Sequence, residues 1–178
     1  MTTIICGTNR TNSETAKFAK QFYQFFQEKE APVQLLELEK LPHDWFFPDM
    51  LVAATQSPSI GDVQDRYLLQ ADKFLFVSPE YNGSFPGVLK LFIDAISIRE
   101  YANNFKDKKI ALAGIASGKA GNLRGMDHLS QIVQHMGGIL MPNRMPISSI
   151  KSLYQSDGSI ETTTLQAMEK FVEQFIEF

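Results

Sequence analysis

Two short stretches of this chain combine residue types and spacings that can hold a ligand. The first is Gly7-Thr8-Asn9-Arg10-Thr11-Asn12-Ser13-Glu14-Thr15, where an apolar run ends and a helical pattern begins. Backbone N–H groups at a helix start lack intrahelical acceptors and sit at the positive end of the helix dipole, so they favour an anion such as a phosphate. Thr8, Ser13 and Thr15 would add hydroxyl donors, and Arg10 a forked cation. Asn12 and Glu14 complete the turn. The Gly-Lys-Ser/Thr ending of a Walker loop is missing, and so are the second and third glycines of a dinucleotide fingerprint. A phosphate held here would therefore be a monoester on a mononucleotide. A Ser-capped helix start with a surface arginine fits the same residues.

The second stretch is Ser78-Pro79-Glu80-Tyr81-Asn82-Gly83-Ser84-Phe85-Pro86-Gly87. Pro79 fixes one backbone angle, and Asn82-Gly83 adopts positive φ cheaply. Such a turn can aim successive backbone groups from Pro79, Glu80, Tyr81, Asn82, Gly83 and Ser84 at one flat polar edge, of the kind a flavin ring presents. A third small, polar turn, Ser117-Gly118-Lys119-Ala120-Gly121-Asn122, adds Ser117, Gly118 and Gly121 as candidates.

The elements around these turns decide whether they meet. Thr3–Cys6, Val33–Leu38, Phe74–Val77, Lys109–Ile115 and Ile139–Met141 read as strands, the last ended by Pro142. Phe18, Phe22, Phe25 and Phe26 share one helical face after the first turn. A helix over Val88–Ala95 follows the second turn, with Pro86 in its first turn. Met126, Leu129, Ile132, Val133 and Met136 give another, stopped by Gly137-Gly138, and Leu165 to Ile176 a last one. Ile60, Val63 and Tyr67 mark a short helix. Leu41–Ser59 reads as a long irregular loop carrying Trp45-Phe46-Phe47-Pro48, and loops of that length are often functional. Alternating strands and helices predict an α/β protein: a three-layer flavodoxin-like fold, with a five-stranded parallel sheet of order 2-1-3-4-5 and helices on both faces. In that order the three turns open on one carboxyl edge of the sheet, where ligands of open α/β folds bind.

The whole-chain numbers agree with a single domain over residues 1–178. Hydrophobic residues make up 44% and charged residues 21%. A net charge of −3 argues against a nucleic-acid partner. Cys6 is the only cysteine, which excludes an internal disulfide and suits a reducing, cytoplasmic setting. The N-terminus lacks the pattern of a signal peptide, and no apolar run approaches the roughly 20 residues of a membrane helix.

Other side chains have plainer readings beside functional ones. Cys6 reads as a small buried hydrophobe, with a reactive thiol as the alternative. His43, His128 and His135 are scattered, with no carboxylate or cysteine at metal spacing, so no metal site is expected. Glu80 suits an ion pair or subunit contact better than a general base. Lys90 and Asp94, one turn apart, can pair on the helix surface. Tyr81 could cover a ring or pack into a neighbour, and the sequence leans to the first. Lys119 and Arg124 fit solvated positions near a helix start. Trp45 suits a lid, a subunit contact or ordinary packing equally well.

Gly7-Thr8-x-Arg10-x-x-Ser13 resembles the phosphate loop of the NADPH-dependent FMN reductases. Pro79-Glu80-Tyr81-Asn82-Gly83-Ser84, with Pro86-Gly87 and Leu89-Lys90, resembles the flavin-ring turn of that family, and Ser117-Gly118 with Gly121 its third loop. The resemblance implies non-covalent FMN. It implies hydride transfer from NADPH or NADH to FMN N5, then to flavin, quinone, azo dye or a metal oxyanion such as chromate. The cofactor would carry the chemistry, with no catalytic side chain. It also implies a homodimer or tetramer that builds its site across subunits. Three departures stand out: Thr8 replaces the usual serine, Leu91-Phe92 replaces Asn-Ala after Lys90, and the Trp45-Phe46-Phe47 loop is unusually aromatic. A flavodoxin-type electron carrier, binding FMN without nicotinamide turnover, is the main alternative, and a flavin-free regulatory or scaffolding domain a second. The modest charge and small third loop favour an open ring face, hence the reductase.

Overall fold

The computed structural model describes residues 1–178. Strands β1 (Thr2–Cys6), β2 (Val33–Glu37), β3 (Lys73–Pro79), β4 (Lys109–Ile115) and β5 (Ile139–Leu140) pair in parallel in the order β2-β1-β3-β4-β5. A further strand, β6 (Met145–Ile147), also pairs with β4. β5 lies beside Lys109 and Ile110 and β6 beside Ala113 to Ile115, so β6 resumes the same edge after a break at Pro142-Asn143-Arg144. The fifth strand ends before Pro142 as expected, and β6 is a small addition that the sequence reading did not include. Proline ends the ladder locally because it lacks an N–H, but the carboxyl half of β4 still had an open edge to pair.

The strands are buried on both faces, and their side chains alternate between two cores. Ile5, Phe74, Phe76, Ile110 and Leu112 join a core with α3 (Gly87–Ile96) and α5 (Leu123–His135). Ile4, Cys6, Leu75, Val77, Ala111 and Ala113 join the opposite core with α1 (Glu14–Glu28) and α6 (Thr162–Glu177). On this second side Phe22 meets Phe171 at 6.2 Å between ring centroids, and Phe26 meets Phe175 edge-on at 6.5 Å. Truncating one such fully buried phenylalanine to alanine would cost about 3–5 kcal/mol.

The remaining elements fill the α3/α5 side. α2 (Pro58–Val63) continues as a wider turn to Leu68, as the spacing of Ile60, Val63 and Tyr67 suggests. A short helix not anticipated from sequence, α4 (Tyr101–Phe105), anchors Phe105 against Phe74 at 5.0 Å. The Leu41–Ser59 segment is less irregular than expected, with a one-turn helix at Ala53–Thr55. Trp45 is buried, packed edge-on against Phe92 of α3 at 6.0 Å, whereas Phe46 is 72% exposed. Of the three readings open for Trp45, packing within the chain is the one observed.

Candidate functional site

At the carboxyl edge of the sheet the first loop is shaped by its helix cap. The Ser13 side chain accepts a hydrogen bond from the Ala16 N–H at 3.1 Å, which starts α1. Its hydroxyl proton stays free to donate, since a hydroxyl both accepts and donates. Within the loop Arg10 N–H donates to Thr8 Oγ1 at 3.2 Å, while the backbone N–H groups of Thr11 to Thr15 have no backbone acceptor. Thr8 is fully buried beneath the loop, its hydroxyl 2.9 Å from the Tyr81 hydroxyl. That bond joins the first loop to the second turn.

The second turn is a two-residue hairpin. Tyr81 N–H donates to the Ser84 carbonyl at 2.8 Å, and Ser84 N–H returns to the Tyr81 carbonyl at 3.1 Å. Asn82 (φ 52°) and Gly83 (φ 77°) form its tip with the positive angles expected of an Asn-Gly pair. Glu80 N–H donates to the Ile115 carbonyl at 3.1 Å. The turn therefore spends three of its N–H groups inside the fold, and those of Asn82 and Gly83 are the ones left without a backbone partner.

The third turn is held from below. Asn122, fully buried, donates from Nδ2 to the carbonyls of Ser78 (3.0 Å) and Pro79 (2.9 Å), tying it to the end of β3. Gly121 (φ 56°) packs on Pro146 of β6 so closely that a Cβ there would lie 2.6 Å from the proline ring. Beyond β6, Ser149 N–H donates to the Gly118 carbonyl (2.9 Å) and Ile150 N–H to the Ala116 carbonyl (3.2 Å). These bonds bring the turn at Ile150–Leu153 to the same edge.

A cavity of about 460 Å³ lies where these segments meet, a size typical of small-ligand pockets. Nine expected residues line it: Arg10, Asn12, Ser13, Glu14, Thr15, Pro79, Glu80, Tyr81 and Ser117. Six do not. Thr8 lies beneath, Asn82 and Gly83 form the hairpin tip, and Ser84 turns outward to His128 Nδ1 at 2.8 Å. Gly118 and Gly121 shape the third turn. The sequence reading missed Thr11, Ile115, Ala116, Ile150 and Lys151. The first three adjoin recognised motif residues, but Ile150 and Lys151 carry no local signal and arrive only through β6.

Charge on this wall is mixed. Arg10 and Lys151 face the cavity without an ion-pair partner in the chain. Glu14 also lines it, but its carboxylate is engaged by the Tyr154 hydroxyl and by Lys17 Nζ at 2.9 Å. Burial pushes the Glu14 carboxyl up, but those hydrogen bonds outweigh it and leave the group below the ordinary carboxylate value. Cys6, behind the first loop, is a buried free thiol, and burial, then the charge of Glu37, pushes it up to about 12. Lys90 and Asp94 pair at 2.6 Å on the outer surface of α3.

This sheet order, with three ligand-type turns on one carboxyl edge, defines a flavodoxin-like α/β protein. Residues 2–151 match the NADPH-dependent FMN reductase family, and the chain belongs to that family. It is therefore an FMN-dependent oxidoreductase with NAD(P)H as electron donor. A curated relative, the FMN-dependent NADPH-azoreductase of Staphylococcus aureus, is 24% identical over 98% of this chain and 93% of that protein. The fold superposes on FerB, a flavoenzyme NAD(P)H:(acceptor) oxidoreductase from Paracoccus denitrificans, with TM-score 0.78 and 29% identity over 99% of this chain and 94% of that one. Flavodoxin 1 from Bacillus cereus gives TM-score 0.61 at 14% identity over 99% of this chain and 97% of that one, a likeness of fold alone.

Proposed function

We propose that the cavity at the carboxyl edge holds FMN and that the protein serves small acceptors such as free flavins, quinones or azo compounds. The observation that carries this reading is that one cavity gathers two kinds of group. Its lining includes the unpaired N–H groups of residues 11–15, the hydroxyl residues Ser13 and Thr15, and the cations Arg10 and Lys151, together with Pro79, Glu80 and Tyr81 of the second turn. The first set suits a phosphate dianion, and the second a flat ring.

FMN held here would supply the redox chemistry, hydride acceptance from a nicotinamide and electron transfer to the acceptor. The chain's own residues bind and orient. The first loop fixes the phosphate by charge-assisted hydrogen bonds. The Thr8–Tyr81 hydroxyl bond holds the ring turn in register with that loop, so phosphate and ring positions are set together. Free N–H groups at Asn82 and Gly83 extend the polar edge beyond the cavity wall. No side chain is required as nucleophile or base.

We take residues 1–178 as one cytoplasmic functional unit that works as a homodimer or a pair of dimers. The support is an exposed apolar cleft where Phe46 meets Val88 and Leu91 of α3. Leu51 and Val52 of the same loop are exposed as well, and surfaces of this kind favour a protein partner.

The cofactor assignment is tested by titrating apoprotein with FMN and FAD. The account expects clear preference for FMN, because the first loop offers one phosphate position and no dinucleotide glycines. FAD binding as tight as FMN would contradict it.

A further inference from the structure

Glu14, in the first turn of α1, lines the cavity that, on the reading above, receives a phosphate. A carboxylate at that position is an internal rival. It is attracted to the same helix start, and it repels a second anion placed there. Both its oxygens, however, are drawn elsewhere. Oε1 accepts from Lys17 Nζ at 2.9 Å, and Oε2 accepts from the Tyr154 hydroxyl. The two holds differ in strength. Lys17 is well exposed, with 57% of its side chain accessible, and such surface pairs are worth little. Tyr154 is half-buried, with its ring 6.4 Å from that of the fully buried Phe18, so its hydroxyl is fixed in place.

We infer that Tyr154 is a positioning residue that holds the Glu14 carboxylate off the helix start and so reserves those N–H groups for the cofactor phosphate. Tyr154 remains the donor in this bond: burial, then the Glu14 contact, raises its phenol above the ordinary value, and Glu14 stays ionised. Glu14 then contributes to cofactor binding through its backbone N–H, with its carboxylate kept out of the way. The tie also spans the site, joining the first turn of α1 to the segment that carries Ile150 and Lys151. The inference rests on the FMN reading, and the test separates the two.

Apoprotein is titrated with FMN and with riboflavin, which shares the ring and ribityl chain but lacks the phosphate. In the wild type FMN should bind more tightly; no preference would remove the phosphate site and this inference with it. With that preference established, Tyr154→Phe should weaken FMN about tenfold at low salt, the scale of a hydrogen bond to a charged group. It should leave riboflavin unchanged, and the deficit should shrink as salt screens Glu14. Glu14→Gln should bind FMN at least as well as wild type. Adding it to Tyr154→Phe should restore FMN affinity. Thermal unfolding of each variant shows whether the fold persists. The inference is overturned if Tyr154→Phe leaves FMN binding unchanged or weakens both ligands equally. It is overturned equally if the double variant stays weak, or if Glu14→Gln alone weakens FMN, which would make the carboxylate itself a ligand.

Discussion

Arg10 and Lys151 are the cations that line the cavity, and they differ in how far each was legible. Arg10 belongs to a contiguous motif whose neighbours cap a helix, and capping is local chemistry. Lys151 lies about 140 residues later and meets the loop only because β6 docks on Ala113 to Ile115 and delivers the next turn to the same edge. The two should nonetheless act on the same group. Arg10→Ala should weaken FMN binding by about 1–3 kcal/mol, the value of a charge-assisted hydrogen bond. Lys151→Ala should weaken it by less, since its stem is flexible and its position exposed. Riboflavin binding, followed by flavin fluorescence, should be the same in both variants as in wild type. Loss of riboflavin affinity alongside FMN would move these cations away from the phosphate. Thr8 teaches a related point. Its hydroxyl reads as a phosphate donor from its place in the motif, and in the structure it is buried and bonded to the Tyr81 hydroxyl and the Arg10 N–H.

Among the elements, the strongly periodic ones were readable and the interrupted ones were not. α1 shows its phenylalanines at helical spacing, and β3 and β4 are unbroken apolar runs, so each follows from its own residues. β6 has three residues with a central proline, and only the free edge of β4 makes it a strand. α4 is five residues long with two asparagines inside it, and it forms because Phe105 finds the Phe74 and Phe76 rings. α3 is the intermediate case. Its apolar residues run nearly all round, and the structure buries Leu89, Phe92, Ile93, Ala95 and Ile96 against its own chain, partly beneath Trp45. Val88 and Leu91 are half-buried against the same core and line a cleft with the exposed Phe46. These elements carry the proposed dimer. Light scattering at micromolar concentration should give twice or four times the 20.1 kDa chain mass, and Phe46→Asp with Leu91→Asp should lower it to the monomer. A monomeric wild type would contradict the assembly.

At the scale of the whole molecule, the fold itself does not decide the function. The same sheet serves the flavodoxins, whose likeness here is one of fold alone. Family membership makes the protein a reductase, and the chain agrees with it in its charge and its edge. A net charge of −3 is small for a dedicated electron carrier. The third turn, Ser117 to Gly121, carries no aromatic residue, and Tyr81 is the one aromatic side chain that lines the cavity. A ring seated there could meet a nicotinamide and an acceptor in turn. No helix of the chain is long and apolar enough to cross a membrane. The most direct measurement is anaerobic addition of stoichiometric NADPH or NADH to the FMN-loaded protein, followed by its absorbance. The account predicts prompt bleaching of the bound flavin by one of the two nicotinamides and return of the colour when a quinone is added. A flavin that stays oxidised with both nicotinamides, yet bleaches with dithionite, would contradict it.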